Sequence, residues 1–102
     1  MVINSAKDLK VYKIAYELAM EIFQKSKEFP KEERYDLTDQ IRRSSRSVCM
    51  NLREASETQT WLEFAQACKY ISADTFKELD AEYEQIIGML NSMEMNADKF
   101  CY

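Results

Sequence analysis

Glycine and proline are nearly absent from this chain, which has one of each in 102 residues. Tight turns depend on these residues, because glycine tolerates positive backbone φ angles and proline presets φ for a turn. A sheet protein needs many such turns. The composition therefore predicts an all-α fold, with long helices joined by few connections in a single domain of residues 1–102.

Hydrophobic periodicity predicts the positions of the helices. The pattern indicates four of them, at residues 8–29, 36–55, 58–70 and 73–93, before a frayed tail at 94–102. In the first helix, an aliphatic stripe through Val11 and Leu18 lies beside a second stripe through Tyr12 and Tyr16. Together they predict one wide face that is buried in a bundle. In the last helix, helical spacing predicts one apolar stripe, formed by Phe76, Leu79, Tyr83, Ile86, Leu90 and Met93. Ser72 is suited to cap this helix.

Several classes of functional site are excluded by composition. The chain has no histidine, the usual general base and the commonest metal ligand, and its single glycine rules out glycine-rich phosphate loops. Its three cysteines (Cys49, Cys68 and Cys101) lack the spacing of a metal site or a disulfide framework. We therefore expect no enzymatic activity, no cofactor and no metal.

The cysteines and the hydropathy of the chain also indicate a cellular compartment. Scattered cysteines suit free thiols in a reducing compartment. The first residues, MVINSAKDLK, lack the apolar segment of a secretory leader, so we expect none, and no apolar run in the sequence is long enough to cross a bilayer. We expect a cytoplasmic protein that makes no contact with membranes.

Arginine is concentrated in the stretch DQIRRSSRSVCMNLRE at residues 39–54, although the net charge of the chain is −4. If this stretch is one helix, Arg42, Arg46 and Arg53 share a face, with Arg43 beside them. Such a stripe suits phosphate contacts in nucleic acids. It equally suits pairing with carboxylates of the acidic last helix, in the same chain or across a subunit boundary. A protein partner is the third interpretation, and the residues leave all three open.

Aromatic and acidic side chains have two interpretations each. Seven aromatic residues recur at helical spacing, where they could stack nucleic-acid bases but are more typical of a core: Tyr12, Tyr16, Phe23, Trp61, Phe64, Phe76 and Tyr83. We expect them in the core. Glu78, Asp80 and Glu82 could serve acid–base chemistry, but on a charged helix surface we expect solvated charge.

Three stretches resemble a known family: DLKVYKIAYELAMEIF, FPKEERYDLTDQIRRSSRSVCMNLRE and ETQTWLEFAQACKYIS. The most specific part runs from Leu37 to Leu52. Over nearly all of residues 6–93 the chain resembles the bacterial four-helix bundle family that is named for proteins encoded in intervening sequences of 23S rRNA genes. That family also includes the accessory variability determinant protein of diversity-generating retroelements, a basic partner of a reverse transcriptase and of RNA.

The resemblance implies a fold and an assembly, and it contributes to an expectation about the role. The fold is an antiparallel up-down four-helix bundle that assembles as a homopentamer, a barrel around a central pore, without enzymatic activity. From the resemblance, the apolar stripe of the last helix and the lack of catalytic machinery, we expect a non-catalytic oligomeric scaffold that binds a protein partner, such as a nucleic-acid enzyme. The alternative is direct but weak binding of structured RNA or DNA through four arginines of the second helix: Arg42, Arg43, Arg46 and Arg53.

The resemblance also carries over a set of signature residues without assigned chemistry: Gln40, Arg42, Arg43, Ser47, Asn51 and Glu54. On a single helix, four of these would form a polar ladder for contacts between helices or subunits: Arg43, Ser47, Asn51 and Glu54.

The sequence departs from the family at one place. Family members have a turn and half a helix between NLREA and SETQTWLEF, whereas here Ala55 directly precedes Ser56. A natural or engineered deletion there would leave one helix over residues 37–70, about 51 Å long, and reduce the bundle to three helices. An omission of about two dozen residues from the sequence would keep the ordinary bundle, and this second case is our expectation.

Overall fold

The computed structural model describes residues 6–48 and 52–92, with side chains from Leu9 onward. The described residues form four α-helices and a short 3-10 helix, and they contain no strand. The helices are α1 at Ala6–Ser26, a 3-10 helix at Lys31–Glu33, α2 at Leu37–Arg46, α3 at Leu52–Ala67 and α4 at Ala73–Ser92. The predicted all-α fold is therefore confirmed. The predicted frayed tail at 94–102 lies outside the described residues.

The helices form an antiparallel up-down bundle, as predicted. Each helix packs against the next one in the chain, and α4 closes the bundle against α1. The direction follows from contacting pairs: Ser26 meets Arg42, whereas the earlier Phe23 also meets the later Arg46, so α1 and α2 run in opposite directions. Of the four described helices, none combines the length and apolarity that crossing a bilayer requires.

The core is formed by one buried stripe from each helix. It contains mainly aliphatic side chains, among them Val11, Leu18, Ile22, Ile41, Leu62, Leu79, Ile86 and Leu90. Burying such side chains is the dominant favourable contribution to folding. The stripe predicted for the last helix is confirmed by the burial of Leu79, Tyr83, Ile86 and Leu90. The predicted cap is confirmed too, because the Thr75 backbone N–H donates to Ser72 Oγ at 3.0 Å.

The prediction of a single helix over residues 36–55 is wrong. α2 ends at Arg46, and Leu52 already begins α3. Serine hydroxyls explain why the segment is a poor helix: Ser45 donates to the carbonyl of Arg42 at 3.2 Å and Ser47 to that of Arg43 at 3.0 Å. Such local bonds give the backbone an alternative to the helix.

Two predictions for the arginine stretch are wrong as a consequence. Arg53 lies on α3 and does not share a helix face with Arg42 and Arg46. Nor do Arg43 and Glu54 belong to one polar ladder, because they lie on different helices. Asn51 lies outside the described residues.

The chain turns earlier than the family resemblance suggested. Ala55 and Ser56 are consecutive residues inside α3, and Thr58 Oγ1 donates across them to the carbonyl of Glu54 at 2.8 Å. α2 and α3 are separate helices, packed together by contacts that include a buried hydrogen bond of 2.9 Å between Ser44 Oγ and Thr58 Oγ1. The single helix over residues 37–70 is therefore wrong, and the bundle keeps all four helices.

Candidate interaction surfaces

Helix α1 carries apolar residues on two opposite faces. One face, with Val11 and Leu18, is buried in the core. On the other face, Leu9, Tyr16 and Met20 remain 52%, 57% and 45% exposed. The prediction that both stripes of this helix are buried is thus wrong for Tyr16, whereas Tyr12 is half-buried against the core.

A groove follows this exposed face, because α2 has 10 residues against 21 in α1. It has a volume of about 410 Å³ and ends at Ser45 and Arg46 of α2. Its remaining lining comes from α1: Tyr12, Ala15, Tyr16, Ala19, Met20 and Phe23. Towards the start of α1 a second hollow follows, lined in part by Leu9 and Lys13. We call the two hollows together the α1 groove.

Basic side chains surround the Phe23 ring at one end of the α1 groove. Their charged groups lie 4.6 Å (Arg42), 5.1 Å (Lys27) and 5.9 Å (Arg46) from the ring centre. Cations at these distances are attracted by the negative face of an aromatic ring. Arg42 also donates from Nε to Ser26 Oγ at 2.7 Å. Arg42 therefore holds α1 and α2 together.

The other two predicted arginines lie elsewhere. Arg43 is exposed and pairs with Asp39 of its own helix at 3.7 Å, an arrangement that contributes little to stability. Arg53 is exposed on α3. The structure thus brings Arg42 and Arg46 together over Phe23 and separates them from Arg43 and Arg53. In the described chain, the α2 arginines contact α1 and α2, not the acidic α4.

Signature residues other than the arginines also lie apart from one another. Gln40 is half-buried and faces α3 in a cleft that includes Trp61 and Phe64. Ser47 follows the last residue of α2. Glu54 is half-buried in the first turn of α3. These positions are consistent with roles in helix packing and helix termination.

A second apolar surface lies on the other side of α2. The Phe64 side chain is 54% exposed, and its ring centre lies 5.8 Å from that of the half-buried Trp61. The two border a cleft of about 350 Å³. Its lining residues are Glu33, Asp36, Leu37, Gln40, Trp61, Phe64 and Cys68. We call this surface the α3 patch. The expectation that Phe64 belongs to the core is wrong.

Glu33 is held in place at the α3 patch by Tyr70. The Tyr70 hydroxyl donates to Glu33 Oε2 at 2.7 Å, and the Tyr70 ring packs against Phe29 with centres 5.4 Å apart. This hydrogen bond, followed by burial and the nearby charges of Glu33 and Cys68, raises the pKa of Tyr70 to about 12. The patch therefore has a fixed carboxylate at its edge.

The seam between α1 and α4 is acidic. Burial raises the pKa of Glu82, and the neighbouring charges of Glu21, Glu78 and Glu17 raise it further. This seam differs from the α1 groove and the α3 patch, which are mainly apolar. In the described ranges, no three side chains of His, Cys, Asp or Glu are placed to hold a metal ion.

Known proteins resemble this chain in sequence and in fold. Residues 7–57 match the family described as 23S rRNA-intervening sequence protein. A crystal structure from Bacteroides thetaiotaomicron, of a protein with unknown function from the S23 ribosomal protein family, has 25% sequence identity and a TM-score of 0.75. That match covers 85% of this chain and 96% of the other. No curated protein matches the sequence.

The departure at Ala55 and Ser56 lies within the matched residues. The omission of about two dozen residues there stays a prediction. The sequence match spans half of the chain. The protein accordingly belongs to the 23S rRNA-intervening sequence protein family.

Proposed function

We propose that this protein is a non-catalytic helical-bundle scaffold that assembles with copies of itself and binds a protein partner. The exposed apolar face of α1 carries the proposal, because Leu9, Tyr16 and Met20 each have about half of their surface in contact with solvent. Contiguous apolar surface of this kind marks interaction sites in small proteins. Covering it contributes about 25 cal/mol for each Å² removed from water.

The polar groups beside the two apolar surfaces bind other parts of the same chain. At the α3 patch, the Tyr70 hydroxyl donates to Glu33. The polar bond nearest the α1 groove, between Arg42 and Ser26, joins two helices. These groups are used for packing, which fits a scaffold.

The alternative is direct binding of structured RNA or DNA through Arg42, Arg43, Arg46 and Arg53. Its support is limited to the exposed side chains of Arg43, Arg46 and Arg53, because Arg42 is engaged with Ser26 and Phe23. Such binding would weaken steeply with salt as counterions are released. It is therefore tested by titrating a structured RNA at about 50 and about 200 mM salt, with wild type and Arg43→Ala/Arg46→Ala.

Light scattering after size-exclusion chromatography tests self-association. We expect the wild type to be larger than one chain over a wide concentration range. Tyr16→Arg places a charge on the exposed α1 face and should yield monomers, whereas the matched Gln85→Arg on the exposed side of α4 should assemble as wild type does. Circular dichroism shows whether both variants are folded. A wild type that is monomeric at every concentration would overturn the proposal.

Co-purification tests the partner. Proteins encoded by the genes beside this one are co-expressed with tagged wild type, Tyr16→Arg and Gln85→Arg. We expect one of them to elute with wild type and Gln85→Arg at a fixed ratio, and to be lost with Tyr16→Arg. If none elutes with the wild type, the partner role is overturned. Salt-sensitive RNA binding that is lost in Arg43→Ala/Arg46→Ala would then favour the alternative.

A further inference from the structure

We infer that the α1 groove of one copy receives the α3 patch of a second copy of this chain. This inference rests on the proposed self-association and adds the two surfaces that make the contact. Because the surfaces differ, the contact is heterologous, and each subunit uses its groove towards one neighbour and its patch towards another.

Shape supports this pairing. The α1 groove is concave and lined largely by apolar side chains, and its first hollow alone has a volume of about 410 Å³. The α3 patch presents Phe64, whose side chain is 54% exposed, and it is the one large apolar side chain exposed on the described part of α3. Aromatic residues that enter a pocket on the partner are the usual anchors of protein interfaces. Trp61 packs beside Phe64, with the two ring centres 5.8 Å apart.

Charge supports the same pairing. The charged residues that line the α1 groove are both basic, Lys13 and Arg46. Those that line the α3 patch are both acidic, Glu33 and Asp36. A groove against a groove, or a patch against a patch, would bring like charges together. Groove against patch brings opposite charges together, which favours the heterologous contact over a symmetric one.

The positions of the α1 groove and the α3 patch on the bundle also support this pairing. The α1 groove opens on the side of α2 that faces α1, and the α3 patch opens on the side that faces α3. With α2 between them, the two surfaces of one subunit cannot cover each other. Two different copies are therefore needed, and both surfaces can be occupied at the same time.

The test uses one variant for each surface and a mixture of the two. Tyr16→Arg disables the groove, and Phe64→Arg disables the patch. Each variant alone should be monomeric, since each lacks one half of the contact. Mixed in equal amounts, they retain one intact groove and one intact patch, so native mass spectrometry should detect a one-to-one dimer. Gln85→Arg is the control and should assemble as wild type does.

A charge exchange provides a second measurement if Tyr16→Arg or Phe64→Arg does not fold. Arg46→Glu and Asp36→Arg should each reduce assembly, and the double variant should recover it because opposite charges again face each other. Asp36 is suitable because its side chain makes no capping hydrogen bond at the start of α2.

Failure of this inference differs from failure of the scaffold proposal. A monomeric wild type overturns both. A wild type that assembles while Phe64→Arg assembles equally well overturns the inference alone, because the α3 patch is then not used. A mixture of monomeric Tyr16→Arg and Phe64→Arg that gives no dimer likewise overturns it and leaves self-association in place.

Discussion

The Nε of Arg42 donates a hydrogen bond to the Oγ of Ser26 over 2.7 Å and so joins α2 to the last turn of α1. Ser26 is almost completely buried, at 2% exposure, and its own hydroxyl donates to the carbonyl of Phe23 at 2.9 Å. The serine oxygen is thus both donor and acceptor. Arg42, one of the four arginines that were candidates for contacts with nucleic acid, instead holds α1 and α2 together.

Replacing Arg42 should therefore affect stability more than replacing Arg43. Arg42→Ala removes the bond to Ser26 and the cation contact with Phe23, and we expect it to lower the free energy of unfolding by about 1–2 kcal/mol. Arg43→Ala removes an exposed pair with Asp39 and should cost less than about 0.5 kcal/mol. Urea unfolding of both variants measures the difference. If both variants lost the same free energy of unfolding, Arg42 would not be joining the two helices.

The buried pair of Ser44 and Thr58 should show coupling. Thr58→Val keeps the side-chain shape but leaves Ser44 Oγ without its partner on α3, and we expect a loss of about 1–2 kcal/mol. Adding Ser44→Ala should cost little more, because the hydrogen bond between the two side chains is already lost. Thr60→Val is the matched control, since Thr60 is exposed and bonds within its own helix. Additive losses in a double-mutant cycle would contradict the coupling.

Lys69→Gly should stabilise the protein. Lys69 has a φ of 64° where α3 ends, and the hydrogen bond from Tyr70 N–H to the carbonyl of Ala65 completes a helix terminus that usually has glycine at this position. A lysine side chain is strained there, and we expect a gain of about 0.5–1 kcal/mol after the greater freedom of glycine in the unfolded chain is subtracted. Lys77→Gly, in the regular part of α4, should lose about 1 kcal/mol. Thermal unfolding compares them.

Tyr83→Phe should be neutral or stabilising. Tyr83 is fully buried, and its hydroxyl has no hydrogen-bond partner among the described residues. Burying a hydroxyl without a partner costs about 1–3 kcal/mol, so its removal should raise the free energy of unfolding by about 1 kcal/mol. Tyr70→Phe is the matched control and should be destabilising, because it breaks the bond to Glu33. A marked loss in Tyr83→Phe would show that its hydroxyl has a partner.

Stability should also fall at alkaline pH, in part through Tyr70. Its hydrogen bond to Glu33 raises its pKa from 10.0 to about 12 on folding. Above pH 10 the unfolded chain releases this proton more readily than the folded one, so the free energy of unfolding decreases between about pH 10 and about pH 12. Urea unfolding at a series of pH values should show a shallower decrease in Tyr70→Phe than in wild type. An unchanged slope would contradict this role.

Local features of the sequence were enough to predict the fold class. One glycine and one proline excluded a sheet, and the spacing of Leu79, Ile86 and Leu90 correctly located the buried face of α4. The cap at Ser72 was also predictable, because the capping bond to Thr75 joins residues three apart in the chain. Such features depend on residues that are close together in the chain, so they can be recognised from the sequence alone.

Only the tertiary structure decided where α2 ends and which apolar stripes are covered. Helical spacing predicted a core position for Leu18, which is correct. It predicted a core position for Tyr16 and Phe64 too, yet both side chains are exposed. Periodicity shows which residues share a helix face, but burial requires another helix against that face. That condition depends on the length of α2 and on how four helices pack together, and those follow from contacts between residues far apart in the chain. The α1 groove and the α3 patch are products of that packing.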